Sequence, residues 1–183
     1  MKLSADFHTI PAAYSKQAPQ ENKLNGEPIV SFPFYLDDLD SGAEYLHWEL
    51  VDPDAIPVSG FEWIHWTVAN LPIAALMFDF NDSHALAIPA DFSRALPAMV
   101  PEAVQGRTSQ ASKLVNATDF SLTMRYTGPN PPDRDHEYLL RVWSTQQPLP
   151  NLDQGFWLNE MLRELRHAEG VSEPAGLWLL GEA

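Results

Sequence analysis

Cysteine is absent from this chain of 183 residues, which excludes disulfides, zinc–thiolate sites, iron–sulfur clusters and a cysteine nucleophile. Basic residues are scarce: 11 lysines and arginines against 25 acidic residues give a formal net charge of −14 at pH 7. This charge repels nucleic-acid phosphates and anionic membrane surfaces. The sequence also lacks an apolar run long enough to span a membrane, and no signal peptide opens it. We therefore predict a cytoplasmic protein with no nucleic-acid partner and no transmembrane segment.

The remaining composition is that of an ordinary globular domain. Hydrophobic residues make up 45% of the sequence and charged residues 20%, and a chain of this length can bury a full core without metal or disulfide crosslinks. No repeat, low-complexity tract or interdomain linker interrupts it. We predict a single domain over residues 1–183.

Hydrophobic periodicity predicts a mostly β fold. Sixteen prolines and nine glycines limit the length of each element, since proline ends helices and is excluded from central strands. Residues with period-2 alternation or continuous apolar character predict four strands: Tyr45–Val51, Trp63–Ala69, Phe120–Tyr126 and Tyr138–Trp143. Phe156–Ala168 predicts an amphipathic helix, with Asp153 as its N-cap and Gly170 following its end. Pro97–Asn116 predicts a long loop with a turn or two of helix.

Alternation also assigns faces within the first two strands. One apolar face of the first strand carries Leu46, Trp48 and Leu50. The opposite face carries Tyr45, His47 and Glu49, which we interpret as a surface trio. In the second strand one face carries Ile64, Trp66 and Val68, and the opposite face carries Trp63, His65 and Thr67.

Three polar segments sit at the ends of these strands. Asp52 directly follows the first strand and begins the sequence Asp-Pro-Asp-Ala-Ile-Pro. Its side chain either caps a turn or presents a carboxylate in a fixed direction. His65 lies among aromatic residues, either bonded to a carbonyl in the core or available to grip an anion. The Gly/Pro loop at residues 126–132 leads into His136, and is either a stiff connection or a source of backbone N–H groups for an anion.

Four segments in this order resemble the phosphatidylethanolamine-binding protein family, and specifically its bacterial Raf-kinase-inhibitor-like branch. They are Asp52-Pro53-Asp54-Ala55, His65-Trp66-Thr67-Val68-Ala69-Asn70-Leu71-Pro72, Gly128-Pro129-Asn130-Pro131-Pro132 and His136-Glu137-Tyr138. The amphipathic helix near the C-terminus also lies where the family has one. The resemblance implies a fold of two antiparallel sheets with small flanking helices and that C-terminal helix.

The resemblance also implies a shallow pocket for phosphate, a small carboxylate or a phosphoethanolamine headgroup. The matching ligand-binding positions are Asp52, His65, Gly128, Pro132, His136 and Tyr138. In such a pocket the two imidazoles supply N–H donors and the glycine lets the anion approach closely. The aspartate would orient one histidine by accepting its second ring proton, or would receive an ammonium group.

Some positions depart from the family pattern. Glu137 replaces the usual arginine, although a strand neighbour of His136 points to the opposite face. Ile56 makes the first motif one residue longer, and Asn130 stands where the family has glycine or cysteine. Asp133–Asp135 make the loop acidic, which lowers anion affinity unless these side chains point to solvent. Gln105–Asp119 is longer than in the common bacterial form, and is expected to cover the pocket or a partner surface.

We predict a non-enzymatic binding protein for phosphate, a phosphorylated headgroup or a phosphopeptide, with no cofactor, metal or catalytic residue. Asp52, His65 and His136 suit zinc as residue types, but no cysteine or short histidine spacing supports a metal site. The alternatives are a protein-interaction module with a vestigial pocket and, less favoured, a hydrolase, since Ser59 lacks the G-x-S-x-G elbow. A homodimer is a further expectation from the bacterial relatives.

Overall fold

The computed structural model describes residues 1–76 and 85–183. Its strands are β1 (Lys2–Ser4), β2 (Lys23–Leu24), β3 (Glu27–Pro28), β4 (Phe34–Asp37), β5 (Tyr45–Asp52), β6 (Trp63–Pro72), β7 (Leu86–Ile88), β8 (Val104–Gln105), β9 (His136–Thr145) and β10 (Ala175–Gly181). Its α-helices are α1 (Ile56–Ser59), α2 (Phe92–Met99), α3 (Phe120–Thr123) and α4 (Leu158–His167). Within these residues no helix is long and apolar enough to cross a membrane.

Two antiparallel sheets form the body of the fold. The larger sheet has the strand order β10-β9-β5-β6-β8, the smaller sheet has the order β1-β4-β7, and β2 and β3 form a separate hairpin. The predicted strands at Tyr45, Trp63 and Tyr138 are confirmed, each extended by one to four residues. The fold is mostly β, as predicted.

The main core joins the larger sheet to the smaller one. Trp48 of β5 contacts Phe34 of β4 and Trp66 of β6 edge-on, with ring centroids 5.6 and 5.0 Å apart. All three rings are fully buried, and Leu46 and Leu50 belong to the same cluster. The predicted apolar face of the first strand is thus confirmed. Burying three such rings removes several hundred Å² of apolar surface from water and is a main source of stability.

A second core covers the opposite face of the larger sheet. Met161 and Leu165 of α4 pack in one cluster with Val51 and Trp143 of the sheet. The predicted amphipathic helix is confirmed at Leu158–His167. Its N-terminus differs from the prediction: the backbone N–H of Trp157 donates to the carboxylate of Glu160, at 2.6 Å, and Asp153 is not the cap.

Because α4 covers this face, the interpretation of His47 and Glu49 as surface residues is wrong. Both side chains are fully buried. The His47 ring lies 2.9 Å from the Thr145 hydroxyl and accepts a 3.1 Å hydrogen bond from the Asn70 backbone N–H. Glu49 forms an ion pair with Arg141. Polar residues therefore alternate with apolar ones on a sheet that is buried on both sides.

The predicted strand at Phe120–Tyr126 is also wrong. Residues Phe120–Thr123 form α3, and the segment after it belongs to no strand. Asp119 caps the helix, since its carboxylate accepts a 2.8 Å hydrogen bond from the Ser121 N–H. This cap favours a helical turn over the extended alternative. Only the last three residues of α2 lie in the segment predicted as a loop, Pro97–Asn116, which also holds the short strand β8 and one 3₁₀ turn at Ser109–Ala111.

A β-bulge at His65 changes the face to which the side chains of β6 point. Leu50 pairs with Trp66, but the next residue, Val51, pairs with Ile64, so His65 is an extra residue in β6. Trp66 lies in the main core, whereas Ile64 packs against the second core. The prediction that these two residues share a face is therefore wrong, because a bulge reverses the alternation.

The outer edge of β10 is partly covered by the N-terminal segment. Leu180 accepts a 2.8 Å backbone hydrogen bond from Ile10 and donates one of 2.9 Å to His8. These bonds form a parallel bridge between Thr9 and Leu180. One end of the exposed strand edge is thereby paired.

Candidate functional site

A pocket of about 320 Å³ opens where β5 ends and where β6 and β9 begin. Five of the six predicted site residues line it: Asp52, His65, Pro132, His136 and Tyr138. The antiparallel pairing of β5 with both neighbours brings these strand ends together. No lysine or arginine is among the described residues that line this pocket.

Asp52, the last residue of β5, serves two neighbours at once. Its Oδ1 accepts a 3.0 Å hydrogen bond from the Ala55 N–H, which caps the turn that follows the strand. Its Oδ2 lies 2.8 Å from Nδ1 of His136. Asp52 therefore both caps a turn and presents its carboxylate in a fixed direction. The turn fixes the carboxylate, and the fixed carboxylate orients the histidine.

His136 lies between two carboxylates. Besides the contact with Asp52, its Nε2 lies 2.9 Å from Oδ1 of Asp133. Ionised carboxylates only accept hydrogen bonds, so both ring nitrogens donate and the ring is an imidazolium. Burial opposes this charge, but the hydrogen bonds and negative charges of Asp52 and Asp133 outweigh burial and raise the pKa of His136.

Asp133 is the contact that the motifs did not predict. Its side chain is half exposed, at 51%, yet its carboxylate occupies the outer nitrogen of His136. Slight desolvation opposes ionisation, but the hydrogen bond from His136 prevails and lowers the pKa of Asp133. The acidic loop was expected to weaken anion binding unless it pointed to solvent, and Asp133 points to the histidine instead.

His65 has one bonded and one unbonded ring nitrogen. Its Nδ1 lies 2.7 Å from the Thr127 carbonyl oxygen, which can only accept, so Nδ1 carries a proton. Its Nε2 is buried and has no hydrogen-bond partner among residues 1–76 and 85–183. The ring is 5% exposed, and this burial lowers the pKa of His65 against the opposing charge of Asp52. The ring is therefore neutral, with a free lone pair at Nε2.

Tyr138 packs between the two histidines. Its ring centroid lies 5.1 Å from that of His65 and 6.5 Å from that of His136. Its buried hydroxyl also lacks a hydrogen-bond partner in the described part of the chain. Burial, together with the nearby negative charge of Asp52, raises the pKa of Tyr138, so the hydroxyl keeps its proton.

Gly128, the sixth predicted site residue, is not among the described residues that line the pocket. Its N–H donates a 2.8 Å hydrogen bond to the Pro28 carbonyl and is not available to a ligand. A Cβ at this position would lie 2.2 Å from the backbone oxygen of Tyr14. The glycine is required because the chain itself, and not a ligand, passes close to it.

The long segment Gln105–Asp119 forms one wall of the pocket through Gln110 and Val115. It is held to β6 by Ser109, whose hydroxyl accepts a 2.8 Å hydrogen bond from the Ile64 N–H. This agrees with the expectation that the segment covers the pocket. Glu137, the departure from the usual arginine, is exposed and lies outside the lining, as the strand alternation predicted.

Across residues 1–76 and 85–183, no three histidine, aspartate or glutamate side chains converge as metal ligands. The Nδ1 of His65 and both nitrogens of His136 are already engaged in hydrogen bonds.

The chain belongs to the phosphatidylethanolamine-binding protein family, whose sequence profile matches residues 4–173. The uncharacterized protein YxkA of Bacillus subtilis (strain 168) is 40% identical over 153 residues, which cover 84% of this chain and 83% of YxkA. That family is known for binding ligands.

Two solved structures share the fold over the whole chain. YbcL of E. coli, described as a new member of the mammalian family, has a TM-score of 0.72 at 19% identity, with 98% of its chain covered. CT736 of Chlamydia trachomatis D/UW-3/CX, a homologue of the family, has a TM-score of 0.67 at 22% identity, with 97% covered. The profile match over residues 4–173 confirms the family expected from the four sequence segments.

Proposed function

We propose that this protein is a non-enzymatic binding protein whose pocket takes a small ligand through an oxyanion, either phosphate or a phosphorylated headgroup. The observation that carries the proposal is the carboxylate of Asp133 on Nε2 of His136, at 2.9 Å. A carboxylate oxygen and a phosphate oxygen make the same kind of charge-assisted hydrogen bond. A ligand oxygen would therefore replace Asp133 at this nitrogen.

The two carboxylates on His136 differ in how easily they can be replaced. Asp52 is 4% exposed and also caps its own turn, so it stays in place. Asp133 is half exposed on a loop, and exposed ion pairs are worth at most about 1 kcal/mol. The inner carboxylate thus keeps the imidazole charged while the outer one yields to a ligand.

A binding role also agrees with the state of the nearby hydroxyl groups. Ser59 lines the pocket, but its hydroxyl contacts the carbonyl oxygens of Ala55 and Phe61, at 3.0 and 2.7 Å. A serine nucleophile needs a general base within hydrogen-bond reach, and neither of these contacts is a base. The cytoplasmic location, the possible phosphopeptide ligand and the homodimer stay predictions.

Titration of the ¹⁵N-labelled histidine side chains with inorganic phosphate and with phosphoethanolamine tests the proposal. We expect the His136 Nε2 signal to shift and saturate, because the ligand oxygen replaces that of Asp133. His136→Gln removes the imidazolium and should abolish binding, whereas His167→Gln, at the exposed end of α4, should leave it intact.

Asp133→Asn provides a second arm of the same test. Loss of the competing carboxylate should tighten phosphate binding by about two- to fivefold, the equivalent of an exposed ion pair. Asp135→Asn is the matched control, since the carboxylate of Asp135 accepts a hydrogen bond from the Ala183 N–H and not from the His136 ring. If no histidine signal moves with either ligand, the proposal is wrong and a protein-interaction role becomes the better hypothesis.

A further inference from the structure

The free nitrogen of His65 restricts which oxyanion the pocket can hold. Nε2 is buried and has no hydrogen-bond partner among the described residues, although His65 lines the pocket. The Thr127 carbonyl lies 2.7 Å from Nδ1 and can only accept, so Nδ1 carries a proton, and in the neutral ring that burial favours Nε2 presents a lone pair. A ligand atom that meets this nitrogen must therefore donate a hydrogen bond.

Burial, more than the charges around it, keeps the ring of His65 neutral. Asp52 is the nearest acid, but its Oδ2 is already bonded to the imidazolium of His136, which itself repels a second cation. Tyr138, edge-on to the ring, is a neutral phenol. Glu27 lines the pocket and Asp133 is half exposed outside it, where solvent screens both charges. Burial lowers the pKa of His65 despite these acids.

We propose that the pocket selects oxyanions that still carry a proton, namely phosphomonoesters and inorganic phosphate, over phosphodiesters and sulfate. The inference rests on the proposed function. One ligand oxygen accepts the hydrogen bond from Nε2 of His136, in the place of Asp133, and a second oxygen donates its proton to Nε2 of His65. Tyr138 packs beside both histidines at this site.

An oxyanion without a proton would turn its lone pairs toward the lone pair of His65. Neither group could then form a hydrogen bond, and Nε2 would stay without a partner among the described residues. A buried acceptor left unpaired opposes binding, and sites built to pair a hydroxyl reject analogues that lack it. The intact phosphodiester of a phospholipid is disfavoured for this reason, whereas a free phosphorylated headgroup is accepted.

Calorimetric titration with methyl phosphate, dimethyl phosphate, inorganic phosphate and sulfate at about pH 5.5 tests the proposal. Phosphomonoesters have a second pKa of about 6, so methyl phosphate still holds one proton under these conditions. Dimethyl phosphate has the same single charge but no proton. Sulfate has a larger charge, so simple charge attraction would favour it. We expect methyl phosphate and inorganic phosphate to bind at least about tenfold more tightly than the other two.

The protonation of His65 in the complex is measured by the ¹⁵N signal of Nε2. We expect the signal of a nitrogen that accepts a hydrogen bond without carrying the proton. Equal affinities for all four anions, or a His65 that becomes an imidazolium when sulfate binds, would overturn the inference while the proposed function stands. Failure of all four anions to bind would overturn the proposed function and this inference with it.

His65→Gln adds a variant whose amide can turn either a donor or an acceptor to the ligand. We expect the preference for methyl phosphate over dimethyl phosphate to fall to about twofold or less, because the fixed acceptor is lost. His167→Gln is the control that should keep the wild-type ratio. Thermal unfolding checks that His65→Gln folds. If it does not fold, the affinities of the wild-type protein for the four anions decide whether the pocket selects protonated oxyanions.

Discussion

Local rules placed Asp52 and His136 at the ends of predicted strands, but only the resemblance to the family implied that they share a pocket. The proline after Asp52 holds the strand end, and the alternation of β9 turns His136 and Tyr138 to one side. The contact of Asp133 with His136 could not be predicted, because it depends on the dihedral angles of an exposed loop. A carboxylate three residues before a histidine can equally face solvent.

His47 was placed on the surface because alternation separates two faces without stating what covers each of them. The sequence shows a polar residue between leucine and tryptophan, and only tertiary structure shows that α4 packs over that face. The buried ring is tolerated because both of its nitrogens have partners, Thr145 and the Asn70 N–H.

Burial of His47 should make the folded state sensitive to acid. Burial lowers the pKa of His47 from 6.5 to about 3. Between these values the unfolded chain binds a proton that the folded chain refuses, so stability is lost as the pH falls through 6.5. The loss approaches about 1.4 kcal/mol per pH unit well below pH 6.5.

His47→Gln removes this titration and isolates its effect from that of other groups. Urea unfolding should find the variant less stable at neutral pH, because the Asn70 N–H loses its acceptor. Between about pH 6.5 and pH 5 the gap to the wild type should narrow by up to about 2 kcal/mol. Parallel stability curves over this range would show that the buried ring accepts a proton as readily as the unfolded chain.

At the level of elements, long periodic segments were predicted and irregular ones were not. β5 and β6 were predicted from alternation and α4 from a helical apolar stripe, whereas β9 was predicted from a continuous apolar run. The bulge at His65 leaves no trace in hydrophobic alternation, because it changes the pairing partner and not the residue type. At Phe120–Thr123 the alternation was misleading, since the Asp119 cap stabilises one helical turn instead.

Gly128, in the loop that follows α3, packs closely against the Tyr14 backbone, and a substitution tests how much this contact contributes to stability. Gly128→Ala would place a methyl group 2.2 Å from the Tyr14 backbone oxygen, so one of the two segments must move. We expect a loss of about 1–3 kcal/mol in the free energy of unfolding. Chemical denaturation of the purified variant measures it.

Gly176→Ala is the matched control within β10. A Cβ there meets only Leu139, at 3.6 Å, which is an ordinary contact. This variant should be as stable as the wild type or more stable by up to about 1 kcal/mol, because alanine restricts the unfolded chain. If both variants lost the same stability, the close approach at Gly128 would not be the reason that glycine is required there.

At the scale of the whole molecule, periodicity indicated a mostly β domain but not the order of its strands. The strand order β10-β9-β5-β6-β8 joins strands that are distant in the sequence. Only the resemblance to a family implied two antiparallel sheets. Composition alone gives one property of the whole molecule, its formal net charge of −14.

Such a charge destabilises the compact state by self-repulsion, which salt relieves. Raising NaCl from about 10 mM to about 1 M at pH 8 shortens the Debye length from roughly 30 Å to 3 Å. We expect the Tm to rise by about 2–8 °C, the equivalent of about 1–2 kcal/mol for a chain of this size. Differential scanning calorimetry measures this change.

Neutralising exposed acids should have the same effect without salt. The variant Glu102→Gln, Glu169→Gln, Glu173→Gln removes three exposed negative charges. Its Tm should exceed that of the wild type at low salt, and the difference should shrink at high salt. A variant with a lower Tm at low salt would show that these acids stabilise the fold through local attractions.

The backbone pairing of residues 8–10 with Leu180 affects the order in which the chain folds during its synthesis. The N-terminal segment emerges first, but its partner in β10 is translated almost the whole length of the chain later. Until then the N-terminal segment has no strand to pair with, and β10, which carries the half-exposed Trp178, afterwards keeps an open outer edge until that segment docks. Docking of the N-terminal segment is thus expected to be among the last steps of folding, and a nascent chain is open to wrong strand pairing until it occurs.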